Sequence, residues 1–157
     1  MFIGGGIVKR QIDDMVRREA PPNISCLPYQ PLDKIRYSLS AADIHAVSIG
    51  DESVGIIHPC KIYGAMALGK PILALGPEAS HLGDIVRESG GGRIHRHGDV
   101  DGIVATLDRF ASLPAAEREQ IGARAVDCLR SRFRPAALLA NVCDLIAADY
   151  PPQGRAL

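Results

Sequence analysis

An excess of charge of either sign, a cysteine pair and a long apolar run are all missing from this sequence. Lys plus Arg and Asp plus Glu number 18 each. No overall field therefore draws the chain to nucleic acid or to an anionic membrane, and any phosphate must be held by local groups. Cys26, Cys60, Cys128 and Cys143 show neither a CxxC pair nor a zinc spacing. Free buried thiols in a reducing cytoplasm are expected in place of a disulfide frame. No apolar stretch reaches the roughly 20 residues of a spanning helix. The start Met1-Phe2-Ile3-Gly4-Gly5-Gly6 also lacks the basic region of a signal peptide. A soluble, cytoplasmic chain is expected. Metal chemistry is not: neither an Asp-x-Asp motif nor the histidine spacing points to a bound ion. Internal repeats and low-complexity segments are absent too.

What is present suits one ordinary folded domain. Hydrophobic residues make up 46% and charged residues 23% of the chain, unlike a disordered sequence, with its fewer aliphatics and larger charge imbalance. A domain of this size buries about 68–70% of its unfolded surface. Met1 to Ile3 reads as the end of a strand that runs directly into three glycines. A preceding segment is therefore expected to belong to the same domain. Val8 to Glu19 carries Val8, Ile12, Met15 and Val16 at helical spacing and stops before Pro21-Pro22. Asn23 to Leu27 reads as a strand, Pro31 onward as a helix with Leu32, Ile35 and Leu39 on one face, and Ile44 to Ile49 as a strand. A loop at Asp51 to Gly55 and a helix from about Pro59 to Leu68 follow. Ile72 to Leu75 is apolar without alternation, as in strands buried on both faces of a parallel sheet.

Ser80 is placed to cap a helix that runs to Glu88, and Arg93 to His95 reads as a last short strand. Helices are expected over Val100 to Leu113, Ala115 to Arg132 and Pro135 to Ala148. The expected fold class is α/β, a Rossmann-like parallel sheet with flanking helices and a helical carboxyl-terminal segment, lacking the first βα unit. Residues 1–150 form the domain and 151–157 a frayed tail. Loops at the carboxyl ends of the strands are then the places to look for function.

Gly4-Gly5-Gly6 lies between a strand and a helix, where backbone can approach a phosphate and a helix start offers N–H donors. A tight turn with no ligand is the alternative. Micromolar binding needs about 8 kcal/mol and a helix terminus supplies about 0.3–2 kcal/mol, so cations must add to it. Lys9 and Arg10 are near; solvated surface charge is their other role. In the stretch from Val54 to Ala74, Lys61 falls in the first turn of a helix, where it opposes the helix dipole and calls for compensation by an anion. His58 could bond a phosphate or a sugar, or have a structural partner. Tyr63 reads as a packing residue or a site residue.

The order of these segments resembles retaining family 4, or group 1, glycosyltransferases of the B fold, in their carboxyl-terminal donor-binding domain. It is similar in particular to a bacterial polysaccharide-assembly subgroup with Pro-Ser/Cys-Lys-x-Tyr, here Pro59 to Tyr63, ahead of an Ala-x-Gly-Lys/Arg-Pro turn, here Ala67-Leu68-Gly69-Lys70-Pro71. Phe2 to Gly6, Ser25 to Gln30, Ser40 to His45 and Gly76-Pro77-Glu78 fall in the same order, so the resemblance covers most of the chain. It implies a nucleotide sugar as partner and substrate, with the base near Leu27, Pro28, Tyr29 and Gln30. Ribose and diphosphate would lie near Gly55, His58, Lys61 and Tyr63, with Gly4, Gly5, Gly6 and Lys9 as further donor-binding candidates.

No cofactor is implied, and no catalytic residue is assigned. The implied reaction is sugar transfer to an acceptor hydroxyl with retention, assisted by an acceptor domain outside this sequence; the chain alone is expected to be inactive. The family's two glutamates fall at Ile56 and Gly64, so both carboxylates are absent, and Glu52 lies four residues too early. A nucleotide-sugar 2-epimerase half and a non-catalytic nucleotide- or partner-binding domain remain alternatives, with a flavodoxin-like or receiver domain behind them. Self-association through an open sheet edge is also expected. The inner membrane face is left open as the place of the intact enzyme.

Overall fold

Short apolar runs separated by amphipathic stretches become parallel strands and helices. The computed structural model describes residues 1–149, so the frayed tail expected at 151–157 lies outside the described residues. The chain divides into one unit, Met1–Ala41, and a second that begins at Ala42.

In the first unit β1 (Phe2–Ile3) and β2 (Cys26–Leu27) pair in parallel, Phe2 opposite Cys26 and Ile3 opposite Leu27. Helix α1 (Ile7–Glu19) connects them. It ends where Ala20 turns left-handed at φ 45° and its N–H bonds to the Val16 carbonyl, just before the two prolines. Arg17 and Arg18 in the last turn suit the negative end of the helix. Pro31 does not open an α-helix directly. A 3-10 turn over Leu32–Lys34 comes first, and α2 spans only Ile35–Ser40. No residue of this unit is fully buried.

The second unit holds the core. Strands β3 (His45–Ser48), β4 (Ile72–Leu75) and β5 (Gly92–His95) form a parallel sheet in the order β3-β4-β5. His45 stands opposite Ile72, and Ile72 opposite Gly92. Parallel strands alternating with helices are as expected, and the ladder bonds among the described residues run β1-β2 and β3-β4-β5. Central β4 is apolar throughout because it is covered on both faces, with Ile72 and Ala74 fully buried. Helix α3 (Lys61–Ala67) turns Ile62 and Met66 inward at i, i+4 spacing, and α4 (His81–Ser89) contributes Leu82, Ile85 and Val86.

Helices α5 (Val100–Ser112), α6 (Ala115–Arg132) and α7 (Pro135–Asp149) complete the chain. Ser80 caps α4, its Oγ accepting from the Gly83 N–H at 3.1 Å, and Asp99 caps α5 in the same way through Gly102. Gly69 closes α3 at φ +61°, and α6 crosses that turn so tightly that a Cβ on Gly122 would lie 1.8 Å from the Gly69 carbonyl oxygen. The glycine expected to end the helix is therefore also a packing surface. All of α7 except Ala137 is exposed, with Leu138, Leu139, Val142, Leu145 and Ile146 outward.

Candidate functional site

Ligands of parallel α/β sheets bind at the carboxyl ends of the strands. At that end of the second unit the ladder continues past the strands, from the Ile49 N–H to the Leu75 carbonyl and from the Gly76 N–H to the His95 carbonyl, both 2.9 Å. His97 Nε2 donates to the Ile49 carbonyl at 2.9 Å and ties the exit of β5 to the exit of β3. Asp51, in a 3-10 turn over Asp51–Ser53, lies 3.8 Å from the same imidazole. The loop ends are thus fastened to each other by backbone and histidine bonds.

From this end rises the segment Val54 to Tyr63. The Ile56 and Ile57 N–H groups both bond to the Ser53 carbonyl, at 3.1 and 2.9 Å, and Gly55 takes φ +79°. These turns set His58 beside the opening of α3, where its Nε2 lies 2.7 Å from Tyr63 Oη. The same hydroxyl lies 3.3 Å from His81 Nε2 at the start of α4. The two imidazoles stand with centroids 4.1 Å apart, and the Tyr63 ring packs on Phe133 at 5.1 Å.

One phenol hydrogen serves two imidazoles, so Tyr63 donates to one ring and accepts from the other. Burial, then the neighbouring His58, lowers the proton affinity of His81; Arg132 acts the same way and Asp84 opposes. Burial raises the Tyr63 pKa, with Cys60 adding to it. Both shifts favour the uncharged forms near neutral pH.

Lys61 is the first residue of α3 and is exposed. Among the described residues it has no ion pair. The helix begins here, not at Pro59, because the chain first makes tight turns: the Ile62 N–H bonds to the Pro59 carbonyl at 3.0 Å and the Tyr63 N–H to the Cys60 carbonyl at 3.2 Å. Two of the N–H donors expected for a phosphate at this helix start are therefore already engaged.

In the first unit Gly4 and Gly6 take φ +121° and +128° between β1 and α1. Tyr29 lies across this turn, so a Cβ on Gly5 would come within 2.9 Å of its Cε2. Its hydroxyl donates to the Gly5 carbonyl at 3.4 Å, while Gln30 Nε2 donates to the Pro28 carbonyl at 3.0 Å. The glycine turn and the Pro28-Tyr29-Gln30 segment are thus brought together, as one surface presenting a 77% exposed tyrosine. Lys9 is held by Asp13 at 2.5 Å. That bond raises the lysine pKa and is the first cause lowering that of Asp13, to which Cys26 also contributes.

The candidate residues therefore fall into two sets. Gly4, Gly5, Gly6, Lys9, Pro28, Tyr29 and Gln30 belong to the first unit; Gly55, His58, Lys61 and Tyr63 to the second. Sequence reasoning missed His81, although its place directly after the capping Ser80 marks a helix start at the functional end of the sheet. It also missed His95, whose Nδ1 donates to Asp99 at 2.8 Å while its Nε2 accepts from buried Thr106 Oγ1 at 2.8 Å.

Asp99-Val100-Asp101 does carry an Asp-x-Asp spacing, but the Asp99 carboxylate is taken by His95 and the Gly102 N–H, which hold its pKa down in that order. Among the described residues no cluster of three or more His, Cys, Asp or Glu side chains could hold a metal, and no helix is long and apolar enough to cross a membrane. The thiols expected to be buried are not uniformly so: Cys60 and Cys143 are exposed, and Cys26 and Cys128 partly covered.

No protein-family model matches the chain. Over 112 residues it is 28% identical to a Pseudomonas aeruginosa protein named "Probable glycosyltransferase WbjE". The match takes in 71% of this chain and 28% of that protein, so the chain spans little more than a quarter of the curated relative's length. A parallel α/β chain distantly similar to a glycosyltransferase is thus defined.

Proposed function

We propose that the chain is the nucleotide-sugar-binding part of a glycosyltransferase that moves a sugar from a nucleoside diphosphate donor to an acceptor hydroxyl with retention. The observation that carries the proposal is the likeness to WbjE over 71% of a parallel α/β chain. The intact protein includes an acceptor domain, works in the cytoplasm, and assembles polysaccharide; the present chain alone turns over no sugar.

In such transfers the work lies in stabilising the leaving diphosphate as negative charge develops. Lys61 supplies the cation, exposed at the functional end of the sheet and engaged in no ion pair. His58 stands at the same helix opening with its ring oriented by Tyr63, able to donate to a phosphate oxygen through a ring N–H. With Ile56 and Gly64 in place of the family's glutamates, the ribose hydroxyls are met by backbone groups of the 54–60 segment.

The test is isothermal titration of the chain with UDP, GDP and their sugars, repeated with Lys61→Ala. A charge-assisted bond contributes about 1.5–3 kcal/mol, so the variant should bind the preferred nucleotide about ten- to a hundredfold more weakly. Equal affinity of the two proteins would overturn the role of Lys61. No binding of any nucleotide would favour a non-catalytic domain, the reading to which the two missing carboxylates and the engaged N–H donors of Ile62 and Tyr63 also point.

A further inference from the structure

The second unit has a cavity of about 520 Å³ where α4, β5, α5 and α6 meet. Its basic lining is unlike the chain as a whole. Arg87 comes from α4, Arg93 from β5, Arg109 from α5 and Arg124 from α6, so four separate elements each line the cavity with an arginine. A local run of basic sequence cannot explain this convergence; the fold produces it. In a sequence whose charges cancel, chance placement would intersperse carboxylates, yet Glu78 is the single acidic residue lining the cavity.

Glu78 and Asp84, the ion-pair partner of Arg87, offset two of the four charges. Arg124 is oriented by its Nε bond to the Gly90 carbonyl at 3.0 Å. Arg93 and Arg109 form no ion pair among the described residues. Like charges around one cavity repel over a screening distance of about 8 Å at physiological salt, and a multiply charged anion relieves that repulsion at several points together. Guanidinium groups match phosphate oxygens in paired, planar hydrogen bonds. Buried Phe110 forms part of the wall, and the volume is that of a small-molecule site.

We propose that this cavity binds a diphosphate group, held principally by Arg93 and Arg109, at a site separate from the Lys61 loop. The group can reach it on a free small molecule or on a membrane headgroup, since the arginines recognise the phosphates in either case.

The experiment is isothermal titration of the full chain with inorganic pyrophosphate, alongside the double variant Arg93→Gln/Arg109→Gln and the single variant Lys61→Ala. Both arginines are exposed, so the double variant should retain the circular dichroism spectrum and Tm of the parent. Saturable binding is expected at a site that the arginine variant weakens at least about tenfold by loss of charge-assisted bonds and that persists in Lys61→Ala, whose own loss is confined to any pyrophosphate held at the loop. Absence of binding, or equal affinity in the arginine variant, overturns the site. Loss in Lys61→Ala with no change in the arginine variant assigns the pyrophosphate to the Lys61 loop and overturns it equally. With the site established, co-sedimentation with phosphatidylcholine vesicles, with and without a lipid that carries a diphosphate headgroup, separates the sources. Capture by the diphosphate-bearing vesicles that is lost in the arginine variant identifies a headgroup, and no capture identifies a free ligand.

Discussion

Replacing Tyr63 by Phe removes one oxygen and nothing else, so it isolates the bonds that join the start of α3 to the start of α4. The ring keeps its place against Phe133 at 5.1 Å, and the packing contribution is unchanged. What is lost is the hydroxyl between His58 at 2.7 Å and His81 at 3.3 Å. A neutral hydrogen bond contributes about 0.5–1.5 kcal/mol net. Both histidines are exposed and recover part of the loss from water.

The sum is about 1–2 kcal/mol, which in a chain of this size lowers Tm by about 3–6 °C. Urea denaturation followed by circular dichroism gives the free energy directly. His81→Ala should cost less in the Tyr63→Phe background than in the parent, by a coupling of about 0.5–1 kcal/mol. A Tyr63→Phe protein as stable as the parent, with no coupling to position 81, would refute the shared-hydroxyl arrangement.

The same cluster predicts a pH dependence. Because burial and His58 hold the folded-state pKa of His81 below its ordinary 6.5, the unfolded chain takes up the proton first. The contribution is complete above that value and is lost as pH falls through the folded-state value. Urea midpoints should therefore fall on acidification from neutral pH, and His81→Gln should flatten that part of the profile. Gly122→Ala places a methyl group against the Gly69 carbonyl oxygen; backbone on both sides leaves little room to yield, so a loss of about 3 kcal/mol is expected in urea denaturation. Unchanged stability there would show that α6 does not cross the α3 turn so closely.

The elements were legible wherever a pattern is local. Ile72-Leu73-Ala74-Leu75 announces a strand covered on both faces, Ser80 announces a cap, and the 3.6-residue spacing of the later helices fixes their extents to within a residue or two. Pairing is not local. Whether β2 joins β3 or only β1 depends on ladder bonds between residues far apart in sequence, and runs of two residues carry no periodicity that could decide it. The start of α3 was displaced by two residues because Pro59 and Cys60 accept in tight turns, a choice that composition does not report. His58 and Tyr63 were legible as neighbours five residues apart. His81 joins them only because the parallel crossover through β4 sets the starts of α3 and α4 side by side.

That placement also bears on two lysines that the sequence offered for a phosphate, Lys61 ahead of Lys9. Lys9 and Lys61 each follow a glycine-containing loop near a helix start, and each is a reasonable phosphate ligand on paper. In the fold Lys9 is bonded to Asp13 one turn along α1, with only 12% of its side chain exposed, so an anion would have to displace a carboxylate already in place. Lys61 is exposed, and no carboxylate competes for it among the described residues. Lys9→Ala should therefore change nucleotide affinity by less than about twofold, whereas Lys61→Ala costs about tenfold or more. Titration of the two variants under one set of conditions decides the matter. An equal loss in both would mean that the Asp13 pair opens when nucleotide binds, and would overturn the preference for Lys61 over Lys9.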